Sequence, residues 1–408
     1  MPDIAEPGPA VPEQRRGADP VRQVLGVFTR TGGFYARSWG SYLDREPDPL
    51  PVARPTLALA AQAFRDEIVL TGFRMLGSAP DATTLARIDR EVSAALRFYD
   101  QQGWLARPEE FFTAPPPLKY LGIKPAKNMG RNYERVFFDS GYTPHTGEPG
   151  RDRWLSYTGN NREYGLMLRH RRPRPWLVCI HGAQMGRAAL DPLLFHAWHL
   201  HHDLGLNVML PVLPLHGPRA RGRPKGATFP SADVLDEVHG VAQSVWDIRR
   251  LLSWIRSQQP EAPIGLNGIS LGGFITSLVA SLDDALSCAI LGVPAVNLVE
   301  LVDRHAGQHN PMRHTMQLAK PIGQMISPFA LDCRVPMRGR FIYAGVADRL
   351  VHPRDQVARL WDHWGRPEIH WYQGGHTGFF RSQPVQRFVD GALVHAGLVE
   401  PDRLKRRR

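Results

Sequence analysis

Ser270, Asp348 and His376 are far apart along the chain, yet they are the side-chain types that together can activate a hydroxyl for attack on an acyl carbon. A serine hydroxyl is a poor nucleophile at neutral pH and needs a base within hydrogen-bond reach. Imidazole titrates near pH ~6.5, so it can take that proton and return it to a leaving group. A carboxylate behind the ring fixes its tautomer and stabilises the imidazolium. The local sequence singles out this serine. It lies in Gly268-Ile269-Ser270-Leu271-Gly272, between two glycines, where a sharp turn leaves no room for flanking side chains.

Such a turn needs a strand before it and a helix after it. Residues 263–267 read as a short buried strand, and the apolar run 274–280 suits a buried helix, whose N-terminus then lies under the serine. Residues 176–180 form a continuous apolar run, as in a strand covered on both faces of a parallel sheet. It runs into His181-Gly182-Ala183-Gln184, a turn able to aim backbone N–H groups at a developing oxyanion. Ala183 and Leu271 are the expected donors, with Gln184 the substitute for Ala183. Asp348 follows a strand pattern at 340–345, and His376 follows another at 368–372 in a glycine-rich loop. Further strands are expected at 206–210 and 288–291, and a helix from Pro353 to about Trp364.

The chain order Ser270, Asp348, His376 and the motifs HGAQ, GISLG, GVAD and GGH resemble those of the α/β-hydrolase superfamily. The resemblance covers roughly residues 132–398 and implies a mostly parallel sheet flanked by helices, in an esterase-like serine hydrolase. It implies Ser270 as nucleophile, His376 as general acid/base and Asp348 as orienting carboxylate, with Leu271 and Ala183 at the oxyanion hole. A serine at the elbow excludes the halide and epoxide chemistry of relatives that carry aspartate there. Esters, thioesters, lactones and amides remain, so a peptidase or amidase is the alternative enzyme. A binding protein that keeps the fold is the alternative outside catalysis.

Competing residues are weaker. His352 precedes Pro353 at a helix start and reads as a surface or capping residue; Asp332 and Asp355 do not directly follow a strand. His181 fits a structural turn. His196, His199, His201 and His202, on a helix expected from near Leu190, lack a carboxylate or cysteine to complete a metal site, and so do His305 and His309. Neither metal nor cofactor is expected.

Outside residues 132–398, residues 1–20 are rich in Pro, Gly and charge and read as a disordered tail without the apolar centre of a secretory signal. Residues 21–131 read as a helical extension, with helices at 56–76 and 83–102, Asp81 as N-cap and Gly103 as terminator. Residues 294–337 are too long for one crossover helix and are expected to form a lid, with Met312, Met316 and Met325 as core side chains or acyl contacts. Residues 399–408 form a basic tail.

The formal charge of +11 invites a nucleic-acid reading, but only six of the 50 Lys and Arg residues are lysine. That bias, beside abundant Ala, Gly and Pro, is a mark of a GC-rich genome, and no nucleic-acid partner is expected. Arg219, Arg221, Arg223 and Lys225 follow a strand in a Gly/Pro loop. Arg219 and Arg221 are candidates to bind an anionic group of the substrate, against the simpler reading of a solubilising loop. No apolar run reaches the ~18 residues of a membrane span. Three cysteines without a signal segment speak against disulfides and for the cytoplasm. The expected partner is a small acyl ester, and oligomeric state is not legible.

Overall fold

The computed structural model describes residues 20–44, 50–76, 80–128, 130–224, 227–306 and 311–405. Nine strands form one sheet: β1 (Gly122–Asn128), β2 (Arg131–Asp139), β3 (Arg162–Leu168), β4 (Trp176–Ile180), β5 (Asn207–Pro211), β6 (Ile264–Ile269), β7 (Cys288–Gly292), β8 (Arg340–Gly345) and β9 (Glu368–Tyr372). Their spatial order is β1-β2-β3-β5-β4-β6-β7-β8-β9. The β1–β2, β2–β3 and β3–β5 pairs are antiparallel, and every pairing from β5 to β9 is parallel. The fold class is α/β, a mostly parallel sheet flanked by helices.

The uninterrupted apolar strands have a simple cause. Trp176, Val178 and Ile180 point into one hydrophobic cluster, shared with the helices Val234–Gln258 and Leu271–Leu282. Leu177 and Cys179 point into a second, covered in part by the helix Gln383–His395. With both faces dry, side-chain alternation no longer alternates polarity. The antiparallel edge differs. Lys124, Pro125 and Lys127 make β1 a charged edge strand, which blunts intermolecular pairing and also hides its strand character in sequence. The sheet therefore begins within the stretch expected to be helical.

Three N-terminal helices precede the sheet: α1 (Pro20–Asp44), α2 (Leu57–Leu76) and α3 (Ala82–Gln101). The α3 start has a physical cap, because the Asp81 carboxylate accepts from Thr84 N–H at 2.7 Å. Beyond its end Gly103 turns the chain at φ 77°. The expected disordered tail lies outside the described residues up to residue 19, whereas Pro20 already belongs to α1. At the other end, Pro401–Lys405 is helical.

Other expectations need adjustment. The helix expected from Leu190 is a short piece, Asp191–Leu194, followed by a wide turn at His199–Asp203; His196, at φ 50°, breaks the run. The helix after Pro353 starts as a wide π-type turn before Arg359–His363. Within 294–337, short helices occupy Leu298–Ala306, Arg313–Leu318 and Lys320–Met325. Met312, Met316 and Met325 are core side chains.

Candidate active site

Ser270 occupies a turn that its neighbours make possible. β6 ends at Ile269, Ser270 adopts φ 57° and ψ −115°, and the helix Leu271–Leu282 begins at the next residue. A non-glycine residue there is strained, and the surrounding contacts hold it in place. The Ser270 N–H donates to Gly292 O at 2.8 Å, and its carbonyl accepts from Phe274 N–H at 3.0 Å. A Cβ on Gly268 would run into Gly272 O and Thr276 Oγ1, and one on Gly272 into the carbonyls of Ile180 and His181. The glycines are thus required by close main-chain approach between β4, β6 and the helix.

β4 and β6 are parallel neighbours, with Ile180 opposite Gly268, so the turn after β4 arrives beside Ser270. Ala183, Gln184 and Leu271 line the same cavity as Ser270. The N–H of Gly182 is taken by Met185 Sδ at 3.3 Å, whereas those of Ala183 and Leu271 have no acceptor among the described residues. Orphan amides at a helix start and a strained turn suit an anion. His181 is a structural residue. Its Nε2 accepts from Leu213 N–H at 3.0 Å, so Nδ1–H donates to Gly182 O at 2.8 Å. Burial holds its pKa down at about 4.

The other two candidates meet for a reason of register. Gly345 pairs with Tyr372, so the loops leaving β8 and β9 emerge side by side. Asp348 and His376 are both buried, and Nδ1–H of His376 donates to Asp348 Oδ2 at 2.6 Å. The other oxygen, Oδ1, accepts the N–H groups of Leu350 (2.9 Å) and Val351 (2.8 Å). That leaves the carboxylate no rotational freedom, and it leaves Nε2 as the ring's available nitrogen. Burial disfavours the imidazolium, but the Asp348 carboxylate, with Asp66 adding to it, outweighs burial and raises the His376 pKa. His376 lines the cavity that Ser270 lines; His352 does not.

Asp66 was not anticipated. Together with Gln62 and Glu67 it comes from α2, nearly three hundred residues earlier in the chain. Asp66 Oδ2 accepts the N–H of His376 at 2.6 Å and of Arg349 at 3.2 Å. Gln62 Oε1 accepts from Gly375 N–H at 3.0 Å. Glu67 takes ion pairs from Arg349 (3.0 Å) and, in α1, Arg30 (2.6 Å). The sequence does carry a signal. Leu59, Ala63 and Leu70 mark the buried stripe of α2, and Asp66 and Glu67 fall on that stripe, 0% and 1% exposed.

The cavity over Ser270 measures about 1060 Å³. Val69, Leu70 and Ile88 of α2 and α3 form one apolar wall, and Leu298, Leu301 and Val302 another. A polar wall carries Arg87 and Arg153, both already paired. Arg87 binds Asp233 at 2.6 Å and Glu91 at 2.8 Å, while Arg153 binds Glu91 at 2.7 Å and Asp236 at 2.9 Å.

The two arginines expected to read the substrate lie elsewhere. Arg219 is 0% exposed at its side chain, ion-paired to Glu163 and to Asp247 (2.9 Å), and it donates to the carbonyls of Val212 (2.9 Å) and Asn160 (3.0 Å). It is a buried structural cation whose two terminal nitrogens are committed to the protein. Arg221 is exposed and lines a separate cavity with Tyr133 and Tyr164. Neither lines the space above Ser270; the loop reaches that cavity only further on, at Pro224, Ala227 and Thr228. Lys225 lies outside the described residues.

Among the described residues no group of three or more His, Cys, Asp or Glu side chains is placed to hold a metal ion. His199 instead binds Asp203 at 2.8 Å and Asp390 at 3.1 Å, and His201 Nδ1 pairs with Leu206 O at 2.8 Å. Cys179, Cys288 and Cys333 are free thiols. No described helix is long and apolar enough to cross a membrane.

A central parallel sheet with a strained serine at the strand-to-helix turn after β6, and an aspartate–histidine pair after β8 and β9, defines an α/β-hydrolase fold. Over 386 residues, 94% of each chain, the sequence is 61% identical to the uncharacterized protein Rv2627c of Mycobacterium tuberculosis, and to its counterpart MT2702 of a second strain. The chain belongs to the family of these mycobacterial proteins. No family model matches it. Similar solved structures include an acetyl xylan esterase from a Paenibacillus species, 18% identical over 72% of this chain and 93% of that one, with a TM-score of 0.49. Another is acetyl xylan esterase 1 from a Thermoanaerobacterium species, 15% identical over 72% and 93%, with a TM-score of 0.48. An acylaminoacyl peptidase from Pyrococcus horikoshii is 12% identical over 69% of this chain and 42% of that one, at 0.41.

Proposed function

We propose that the protein is a serine hydrolase that cleaves a carboxylic ester through an acyl-enzyme. Ser270 Oγ attacks the ester carbonyl as His376 Nε2 takes the hydroxyl proton, and the resulting oxyanion is held by the N–H groups of Leu271 and Ala183. Loss of one such donor costs roughly 3 kcal/mol of transition-state stabilisation. The intermediate collapses, the C–O bond to the alcohol breaks, and His376 returns the proton to the departing alkoxide. Water then repeats the cycle on the acyl-serine, releasing the acid and restoring Ser270. Throughout, Asp348 holds the imidazole tautomer and balances its charge.

The observation that carries this reading is the 2.6 Å bond from His376 Nδ1–H to a fully bonded Asp348, with Ser270 and His376 lining one cavity. The apolar walls support an ester with a sizeable apolar acyl part. Arg87 and Arg153 are neutralised by their own carboxylates and offer no free cation to a ligand. A soluble enzyme of the cytoplasm acting on a small molecule, without metal or cofactor, completes the proposal.

A fluorophosphonate probe tests it: the parent should be labelled at serine and Ser270→Ala should not. Equal labelling of the two would overturn the assignment. Nitrophenyl esters of increasing acyl length should then show kcat/KM rising with length, and the matching anilides separate esterase from amidase.

A further inference from the structure

Below the Asp348–His376 pair lies a second buried carboxylate that this mechanism does not use. Asp66 is 0% exposed, and its two oxygens are spent on the backbones of the loops that carry the pair. Oδ2 binds the N–H of His376 at 2.6 Å and of Arg349, the residue after Asp348, at 3.2 Å. Oδ1 lies 3.4 Å from both the N–H and the hydroxyl of Thr377. The approach is so close that a Cβ on Gly375 would run into this carboxylate, which explains the second glycine of Gly374-Gly375-His376. A carboxylate accepting several N–H bonds fixes those bonds' geometry far better than water would.

We infer that Asp66 is a positioning residue for the proposed base: from helix α2 it ties the Asp348 loop to the His376 loop and sets a second negative charge behind the imidazole. This rests on the serine-hydrolase reading for its catalytic meaning, but its electrostatic content does not depend on turnover. The charged and titratable groups around it are Asp348, His376, Arg349 and Tyr372 from the β8 and β9 side. Glu67 lies beside it on α2, Arg30 on α1, and His352 further along the Asp348 loop. Burial, with Asp348 adding, pushes Asp66 up to about 6, while the charges of Asp348 and Asp66 raise His376 against its own burial. An anion at this place favours the imidazolium, and its removal must lower the His376 pKa.

The test compares the full-length parent with Asp66→Asn and Asp66→Ala. Histidine ring resonances are followed by NMR from pH 5 to 9, about two decades either side of neutrality, with His376 assigned by its loss in His376→Gln. The His376 pKa should fall in Asp66→Asn, and in Asp66→Ala the downfield Nδ1 proton shared with Asp348 should broaden through exchange. An unchanged His376 titration in both variants, with native-like spectra elsewhere, overturns the inference whether or not the parent turns over esters. Where the parent is active, the acid limb of kcat/KM should move to lower pH in Asp66→Asn, and kcat in Asp66→Ala should fall on the order of ten- to a hundredfold with little change in KM. A parent that titrates as expected but is not labelled by fluorophosphonate would count against the hydrolase reading alone.

Discussion

The turn at Ser270 and the loops at Asp348 and His376 lie at the same end of the sheet, yet they are held by different means. The serine turn is shaped by residues within a few positions and by the adjoining strand: Gly268, Gly272 and the carbonyls of β4 leave the backbone a single course. The Asp348 and His376 loops also lock onto each other, with the N–H of Val346 bonded to Tyr372 O and that of Ala347 to Gly374 O, both at 3.0 Å, but they take a further tie from a distant element. Their backbones are tied by Gln62 and Asp66, and the Arg349 side chain by Glu67, all delivered from a helix at the opposite end of the sequence. Local sterics thus shape the proposed nucleophile's turn, whereas at the proposed base distant hydrogen bonds are added to the local ones. A helix outside the sheet is part of the chemistry's scaffold.

The sharpest way to break this contrast is Gly272→Ala. The added methyl has main-chain oxygens in its path, so the turn cannot close; labelling at Ser270 should vanish and the melting temperature should fall, by roughly 2 °C for a loss of 2 kcal/mol. A variant with parent-like melting and labelling would show that the turn is not locally enforced. Asp348→Asn comes next. It keeps the shape but offers His376 the wrong partner, and kcat should drop by about ten thousandfold while the fold survives. Retention of activity within about tenfold would remove Asp348 from its role. The smallest effect is a pH profile. Because Asp348 and Asp66 raise the His376 pKa, kcat/KM should fall as pH drops through a value above the ordinary imidazole range near ~6.5. An acid limb below that range would contradict the charge arrangement.

How far the sequence could be read follows the same division. The strands at 176–180 and 340–345 were legible because a strand buried on both faces is apolar almost without interruption. The serine turn was legible from its glycines. The hairpin β1–β2 was not, since an exposed edge strand carries Lys and Pro in place of an apolar pattern. Arg219 misled for a related reason. Arginine in a Gly/Pro loop resembles a surface residue, and nothing local reveals that Glu163 and Asp247 wait for it inside the core. Burial pushes the Glu163 carboxyl above the ordinary carboxylate range, with the guanidinium opposing and the Asp247 charge adding. That marks the cost of keeping such a group in the interior.

By itself the sequence determined the period and polarity of the elements, the glycine-enforced turn and the chain order of Ser270, Asp348 and His376. These depend on sterics and solvation acting over a few residues. Only the tertiary structure decided which loops converge, that α2 supplies a second carboxylate beneath the histidine, and which arginines are buried. Each of those depends on the register of strands and the docking of helices hundreds of positions apart; locally such a contact leaves at most a polar residue on an apolar stripe, which does not name its partner.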